Sequence, residues 1–494
     1  CVSVCPTGAL QERQSVAKEV PLETKVTNTT CSYCSVGCSL QVESCGSMLI
    51  KSNPDKNGAV NKGLLCGKGK WGFDCSVLEG KLTKPLIKDG DKFRECSYDE
   101  AIVLVAKKAE SIATKYGKDS VAVSISDRFT NEEASVIKKL ADAMGAKTLC
   151  FNHVESGLKK VLGVDKSPNA MDELLSTNVI LVFGYIMEKN PVVQLKLKQA
   201  AENGAKVYVI NPVGVEVVNF DFAEKVIYTG NNLDALKEIA KYLVDEKDNL
   251  SLTNLLELKK SLENVFVSDE IKEVASAYNN AKKAMIVFQE NVLSVDAATM
   301  IGNIALVSNH IGAPRDGIVQ IKGKNNSQGL VDMGIDKGIE EMANVKALLC
   351  FGEDPCVLGD DILDNLEFVM TVDTHMTDTC KNSDVVLPGS GPMSVEGTYT
   401  NTYGRVQFVN KVIDENIEFN NEELARKIAS VYEVDLDKVV TKAPLKENVV
   451  ESLVVVGDNV VVDVHKCCDN LMNVIDNRLP KQAKQSEKVS LAEA

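Results

Sequence analysis

Cys31, Cys34, Cys38 and Cys66 stand in the pattern C-x2-C-x3-C-x27-C, and Lys68 and Gly69 follow the last of them. Four thiolates so spaced can take the corners of a [4Fe–4S] cubane, three from one turn and the fourth from a distant segment. Gly37 and Gly67 suit a backbone that must bend closely around a large inorganic group. A zinc site usually favours two separated C-x2-C knuckles, and buried, unligated thiols are the remaining alternative. A second cysteine pattern opens the chain. Cys1-x3-Cys5-Pro6, with Thr7-Gly8-Ala9-Leu10 behind it, reads as the closing half of a bacterial ferredoxin run. In that run the cysteine before proline serves the other cluster, so Cys1 and Cys5 are expected to ligate two clusters completed upstream. The chain is therefore expected to be the later part of a longer protein that carries further [4Fe–4S] clusters.

Composition agrees with a large redox protein. A length of 494 residues allows several domains, and a net charge of −15 with only four histidines leaves no electrostatic footprint for nucleic acid. No apolar run is long enough to span a bilayer, and nothing resembles a signal peptide. Fifteen cysteines, the best placed in cluster spacing, favour metal ligation in a reducing, cytoplasmic compartment over a disulfide framework.

The elements that must position these residues follow from periodicity. Residues 25–72 alternate polar and apolar in short runs around the cysteines and predict a small β-rich domain. Beyond it the pattern becomes β-α-β. Helices are expected at 98–116, from 131, at 191–203 and at 297–310. Continuous apolar strands are expected at 119–126, 178–183, 206–210, 283–288, 345–351 and 368–373. Such alternation predicts parallel sheets whose loops at the carboxyl ends of the strands bind ligands. The candidate loops are 184–190, 211–214, 352–355 and 373–379. The pair Glu353-Asp354 is expected to be a solvated loop, His310 and His375 are expected to be structural, and the tail from Lys481 reads as polar and frayed.

Several stretches in order carry a resemblance. "KLTKPLIKDG" at 81–90, "ECSYDEAI" at 95–102, "FTNEEASVIKKLADAMGA" at 129–146, "KNNSQGLVDMG" at 324–334, "GEDP" at 352–355 and "EGTYTNTYGRVQ" at 396–407 follow the cysteine motif. Together they resemble the molybdopterin oxidoreductase family, and within it formate dehydrogenase alpha subunits and the large iron–sulfur subunit of NADH dehydrogenases (complex I). The resemblance implies an α/β fold: a small β-rich [4Fe–4S] domain, then interleaved parallel-sheet domains that cradle pterin guanine dinucleotides. It implies an end of a ferredoxin-like domain at 1–24, a cluster domain of the Mo/W type at 25–80, the α/β domains at 81–412 and a shortened C-terminal region at 413–494. It implies that Lys68 relays electrons between cluster and pterin, and that Gly184, Asn326, Asp373, Thr377 and Asn401 fall on pterin-contacting motifs.

The resemblance also marks departures. A cysteine or selenocysteine ligand to molybdenum or tungsten would fall at Cys150, but Phe151 stands where such enzymes carry a histidine, with His153 two places on. An expected arginine is Lys322, which keeps the charge without the planar fork that grips a carboxylate. Val213 replaces another arginine, residues 335–351 form a short connection, and little beyond Val409 resembles the family's C-terminal barrel. These departures favour an electron-transfer subunit with a degenerate Mo/W site, in a complex whose other subunits carry flavin, NAD(H) or ferredoxin sites. The alternatives are a catalytic formate dehydrogenase alpha subunit with Cys150 on the metal, and a scaffold without cofactor.

Overall fold

The chain builds a small sheet, starts a large one, leaves it to complete a third, and then returns. The computed structural model describes residues 5–7, 9–10, 23–73, 80–184, 186–215, 217, 219–247 and 255–438. Cys1 and the tail from Lys481 lie outside these residues. Strands β1 (Lys25–Thr30), β2 (Ser39–Cys45) and β3 (Met48–Pro54) form an antiparallel sheet around the first cysteines. Strands β4 (Leu86–Asp89), β5 (Lys92–Glu95), β6 (Val121–Ile125) and β7 (Lys147–Leu149) begin the large sheet. The chain then lays down β8 (Val179–Phe183), β9 (Lys206–Pro212), β10 (Lys225–Thr229), β11 (Ala284–Gln289) and β12 (Gly317–Ile321) as a separate five-stranded parallel sheet, in the order β10-β9-β8-β11-β12. It returns with β13 (Ala347–Phe351), β14 (Phe368–Asp373) and β15 (Val385–Pro388), so the large sheet reads β5-β4-β15-β14-β13-β6-β7. A hairpin of β16 (Gly397–Thr400) and β17 (Val406–Val409) follows.

The apolar runs become strands because both faces are covered. In β8, Val179, Leu181 and Phe183 point into one core while Ile180 and Val182 point into another, as the two-residue period requires. The first core is closed by the helix Val295–Ser308, buried from Ala297 onward. The second is shared with Cys31, Val36, Cys38 and Leu40, so the cysteine domain packs directly on one face of the five-stranded sheet. Helix starts follow their caps: Ser97 accepts from the Glu100 amide, and Thr130 and Glu133 form a reciprocal capping box.

The observed elements differ from the expected ones mainly at their ends. The strand at 206–210 runs on to Pro212, and the expected helix at 297–310 spans Val295–Ser308. The candidate loop 184–190 holds a short helix, Ile186–Lys189. No helix among the described residues is long and apolar enough to cross a membrane.

One close approach fixes the packing of the helix Gly157–Leu162 on Val295–Ser308. A Cβ on Gly157 would lie 2.2 Å from the Val295 carbonyl oxygen and 2.7 Å from the Thr299 amide, both backbone atoms that cannot swing aside. Gly157→Ala is therefore expected to cost about 2 kcal/mol and to lower the melting temperature by roughly 2 °C. Gly230→Ala, where an added Cβ meets nothing within 4 Å, is expected to leave it unchanged or slightly higher. Thermal melts followed by circular dichroism check both, and equal shifts would remove the packing argument.

Candidate functional site

The four motif cysteines line one cavity of about 160 Å³ together with Tyr33, Asn190, Gln289 and Lys322. None is in a disulfide among the described residues. The loop that carries three of them is closed by its own backbone. The Cys31 amide donates to the Cys38 carbonyl (2.8 Å), and the Gly37 amide donates to the Cys34 carbonyl. Gly37 has φ +72°, and a Cβ there would lie 2.1 Å from Gln407 Oε1. The β16–β17 hairpin holds the loop from outside, since Gln407 Nε2 on β17 donates to the Gly37 carbonyl at 2.8 Å and Asn401 Nδ2 in the turn donates to the Val36 carbonyl.

Burial pushes the Cys31, Cys34 and Cys38 thiols up, and the neighbouring cysteines push each of them further. Such mutual repulsion means thiol sulfurs facing a common space. Among the described residues no three or more His, Cys, Asp or Glu side chains surround a point where a single ion could sit. Four cysteine thiols lining one cavity are the donor set of a [4Fe–4S] cluster. The donor set and the space fit a [4Fe–4S] cluster.

Lys68 is exposed and lies on the cavity rim. Arg128, Lys189 and Lys324 line the same cavity. Burial and the charges of Arg128, Lys68 and Lys189 hold the Lys324 ammonium below its ordinary value. Cys5 is half-buried, with its thiol drawn down to about 7 mainly by the Thr7 hydroxyl.

A second, smaller cavity of about 20 Å³ lies between the carboxyl ends of the two parallel sheets. Cys150, His153, Asp127, Glu290 and Lys322 all line it. The fold thus brings together Cys150 from the end of β7, His153 beside it and Lys322 from the end of β12. Their states differ from what the resemblance implied. Lys322 Nζ donates to Asp165 Oδ1 at 2.6 Å and to both oxygens of Glu290 at 3.1 and 3.0 Å. The exposures of the three side chains are 2%, 6% and 7%. These carboxylates hold the ammonium above its ordinary value against the cost of burial.

Cys150 is buried, and its Sγ donates to Glu353 Oε1 at 3.4 Å. Burial pushes its thiol well up, and the charges of Glu353 and Asp127 add to that. The Cys150 thiol is thus surrounded by acidic groups on the small cavity. Burial also lowers the half-buried His153.

Glu353 itself corrects the expectation of a solvated loop. It is 4% exposed, accepts from the Phe151 amide at 2.9 Å, and burial pushes its carboxyl well up. The turn "GEDP" follows β13 into the space between the sheets, where the carboxyl end of a parallel strand faces inward. Asp354 is half-buried and accepts from the Thr379 amide and hydroxyl.

The residues on pterin-type motifs divide into two groups. Asn326 donates to the Phe129 carbonyl and accepts from the Thr400 amide. Asn401 accepts from the Arg405 amide, and Thr377 caps the helix Asp378–Asn382. These three spend their side chains within the fold. Gly184 closes β8, and Asp373 closes β14 and lines a cavity of about 130 Å³ with Gly352, Gly389, Ser390 and Tyr399. The Tyr399 hydroxyl there is buried without a partner, and the lining suits a polar ring. The volume is close to the ~150 Å³ that holds one benzene, room enough for a ring. His310 sits between Asp316 and the Tyr278 carbonyl, while His375 Nδ1 meets the Thr374 hydroxyl.

Residues 24–75 match the molybdopterin oxidoreductase Fe4S4 domain, and residues 81–421 match the molybdopterin oxidoreductase family itself. The chain belongs to the molybdopterin oxidoreductase family. It is 28% identical to the F420-dependent formate dehydrogenase 2 subunit alpha of Methanococcus maripaludis, over 79% of this chain and 68% of that protein. It is 27% identical to the Bacillus subtilis protein named "Probable oxidoreductase YjgC", over 82% of this chain and 48% of that one. Among solved structures, acetylene hydratase from Pelobacter acetylenicus matches with a TM-score of 0.61 at 15% identity, over 82% of this chain and 68% of that chain. That last likeness shows the shared fold. The first domain is thus a [4Fe–4S] domain standing ahead of a molybdopterin-type body.

Reading the sequence missed Asp165 and Glu290. The available signal was Lys322 itself: a lysine ending the apolar strand "GIVQI" must find carboxylates or leave the interior.

Single substitutions Cys31→Ser, Cys34→Ser, Cys38→Ser and Cys66→Ser are each expected to strip most of the bound iron, while Cys96→Ser leaves it intact. Iron analysis and the visible charge-transfer absorption check this. Lys68→Ala is expected to keep the iron and lower the cluster potential by roughly a few tens of mV, because a cation at the rim stabilises the added electron. An unmoved potential would end that role for Lys68.

Proposed function

We propose that the chain is the iron–sulfur electron-transfer subunit of a redox complex linked to NADH or ferredoxin, with its formate-type site closed. Cys31, Cys34, Cys38 and Cys66 would hold the cluster, Cys1 and Cys5 would belong to clusters completed upstream, and other subunits would carry flavin, nicotinamide or ferredoxin sites. The cluster supplies one-electron storage; the chain's residues bind it, exclude water and set its electrostatic surroundings.

The observation that carries this reading is the pairing of Lys322 with Asp165 and Glu290. A cation that must orient a substrate carboxylate cannot already be saturated by two internal ones. The cavity beside it is small, at about 20 Å³. Relatives named as alpha subunits support a multi-subunit setting.

A catalytic formate dehydrogenase alpha subunit is the second reading. It is favoured by the convergence of Cys150, His153 and Lys322 on one cavity and by formate dehydrogenase relatives. Anaerobic purification of the full-length protein, followed by iron, molybdenum, tungsten and pterin analysis and a formate-dependent dye-reduction assay, separates the two. Iron without stoichiometric molybdenum or tungsten, and no formate oxidation, is the expected result. Stoichiometric metal with formate oxidation would overturn it in favour of the second reading.

A further inference from the structure

Lys322 belongs to both cavities. Its ammonium is held by Asp165 and Glu290, while its backbone is tied to the cysteine loop: Ser35 Oγ, between Cys34 and Cys38, donates to the Lys322 carbonyl at 2.7 Å. The Lys322 amide donates to Thr402 Oγ1, and the Thr402 amide donates to the Ser35 carbonyl. One buried cation therefore stands between the cysteine cavity and two buried carboxylates. With both carboxylates ionised, this group carries one uncompensated negative charge in a setting where charge is poorly screened.

We propose that Glu290 is a redox-linked proton site, binding a proton when the iron–sulfur group held by Cys31, Cys34, Cys38 and Cys66 gains an electron. The proposal rests on the cluster reading of those cysteines. One electron from a one-electron reductant enters the cysteine site, one proton from water binds the Glu290 carboxylate, and the summed charge of the buried region is unchanged. The only bond formed is the carboxyl O–H.

Glu290 suits the role better than its neighbours. Among the described residues its carboxylate receives only Lys322 and one Gln320 Nε2–H. Asp165 Oδ1 lies closer to the ammonium, at 2.6 Å. The other titratable groups facing it across the small cavity are His153, Asp127 and Cys150. Asp127 is engaged by Asn152 and Ser327. His153, half-buried, lines the same cavity. Burial pushes the Glu290 carboxyl up, with Lys322 opposing and Asp165 adding to the rise, to about 7. Its proton affinity is thus poised where a nearby electron changes its occupancy.

The test is a redox titration of the iron-loaded protein, followed by electron paramagnetic resonance, between pH 6 and 9. The wild-type potential is expected to fall by about 59 mV per pH unit within a window near neutrality, the value for one proton per electron. Glu290→Gln, which keeps a similar shape, is expected to hold the same iron with a flat profile. Asp165→Asn is expected to retain the slope but move its window to lower pH, because a like charge beside Glu290 is gone. A redox-difference infrared spectrum should show a carboxyl band that Glu290→Gln removes. A flat wild-type profile, a slope retained in Glu290→Gln, or an unmoved window in Asp165→Asn would overturn the proposal. Wild-type protein that binds no iron at the four cysteines would overturn the cluster reading, and the proposal with it.

Discussion

An ammonium buried at 2% exposure organises the centre of this molecule. Removing a lysine's charge from water costs several kcal/mol unless the interior supplies partners. Lys322 therefore draws in the turn bearing Asp165 and the end of β11 bearing Glu290, while its main chain binds the cysteine loop through Ser35 and the hairpin through Thr402. Segments far apart in sequence meet at one residue. Losing that charge would leave two carboxylates buried without a counter-ion, a change of about 3–5 kcal/mol. The position of the cysteine loop over the five-stranded sheet is thus coupled to an ion pair outside the cysteine motif.

The topology makes this meeting point possible. The five-stranded sheet reverses its strand order between β8 and β11, and the loops after these strands, with those after β12, reach the cysteine cavity. The large sheet sends the segments after β6 and β7 into the small cavity beside it, and Glu353 after β13 bonds to Cys150 there. Carboxyl ends of parallel strands are where such sheets place their ligand-binding loops. Here two sets of them face each other, because the chain inserts one sheet into the middle of another. The cysteine domain then seals one side by sharing a core with Ile180, Val182, Val207 and Val209.

What could be seen in the sequence was whatever depends on near neighbours. "VILVF", "KVYVI" and "FVMTVD" are strands because continuous apolar runs of that length pack on both faces of a parallel sheet. The cysteine spacing was legible for the same reason, since three of the four donors share one turn. Glu353 was misread because "GEDP" is locally a polar turn, and only its partners Cys150 and Phe151, some two hundred residues away in the chain, make it an interior group. Asp165 and Glu290 carried no local pattern at all. Their role is written in the charge of Lys322, and the pairing distance could not be read from spacing. Asn326 and Asn401 sit on motif positions, yet both use their amides to tie loops together, a duty any retained turn can give to asparagine.

The electrostatics of the cysteine cavity link folding to the group it holds. Three of its thiols are pushed up by burial and by one another, so four thiolates cannot coexist there without positive charge in their midst. The chain provides some of it at the rim, where Arg128, Lys68, Lys189 and Lys324 gather on a protein whose net charge is −15. Those cations lie around the opening, whereas Lys322, the deepest, is already neutralised by carboxylates. The remaining compensation must come from the iron itself, which replaces the thiol protons as it binds. The free energy of metal binding then includes the relief of this repulsion. The cavity is consequently held open by the hairpin, by Gly37 and by the Lys322 network, since the thiols that line it would not by themselves draw together.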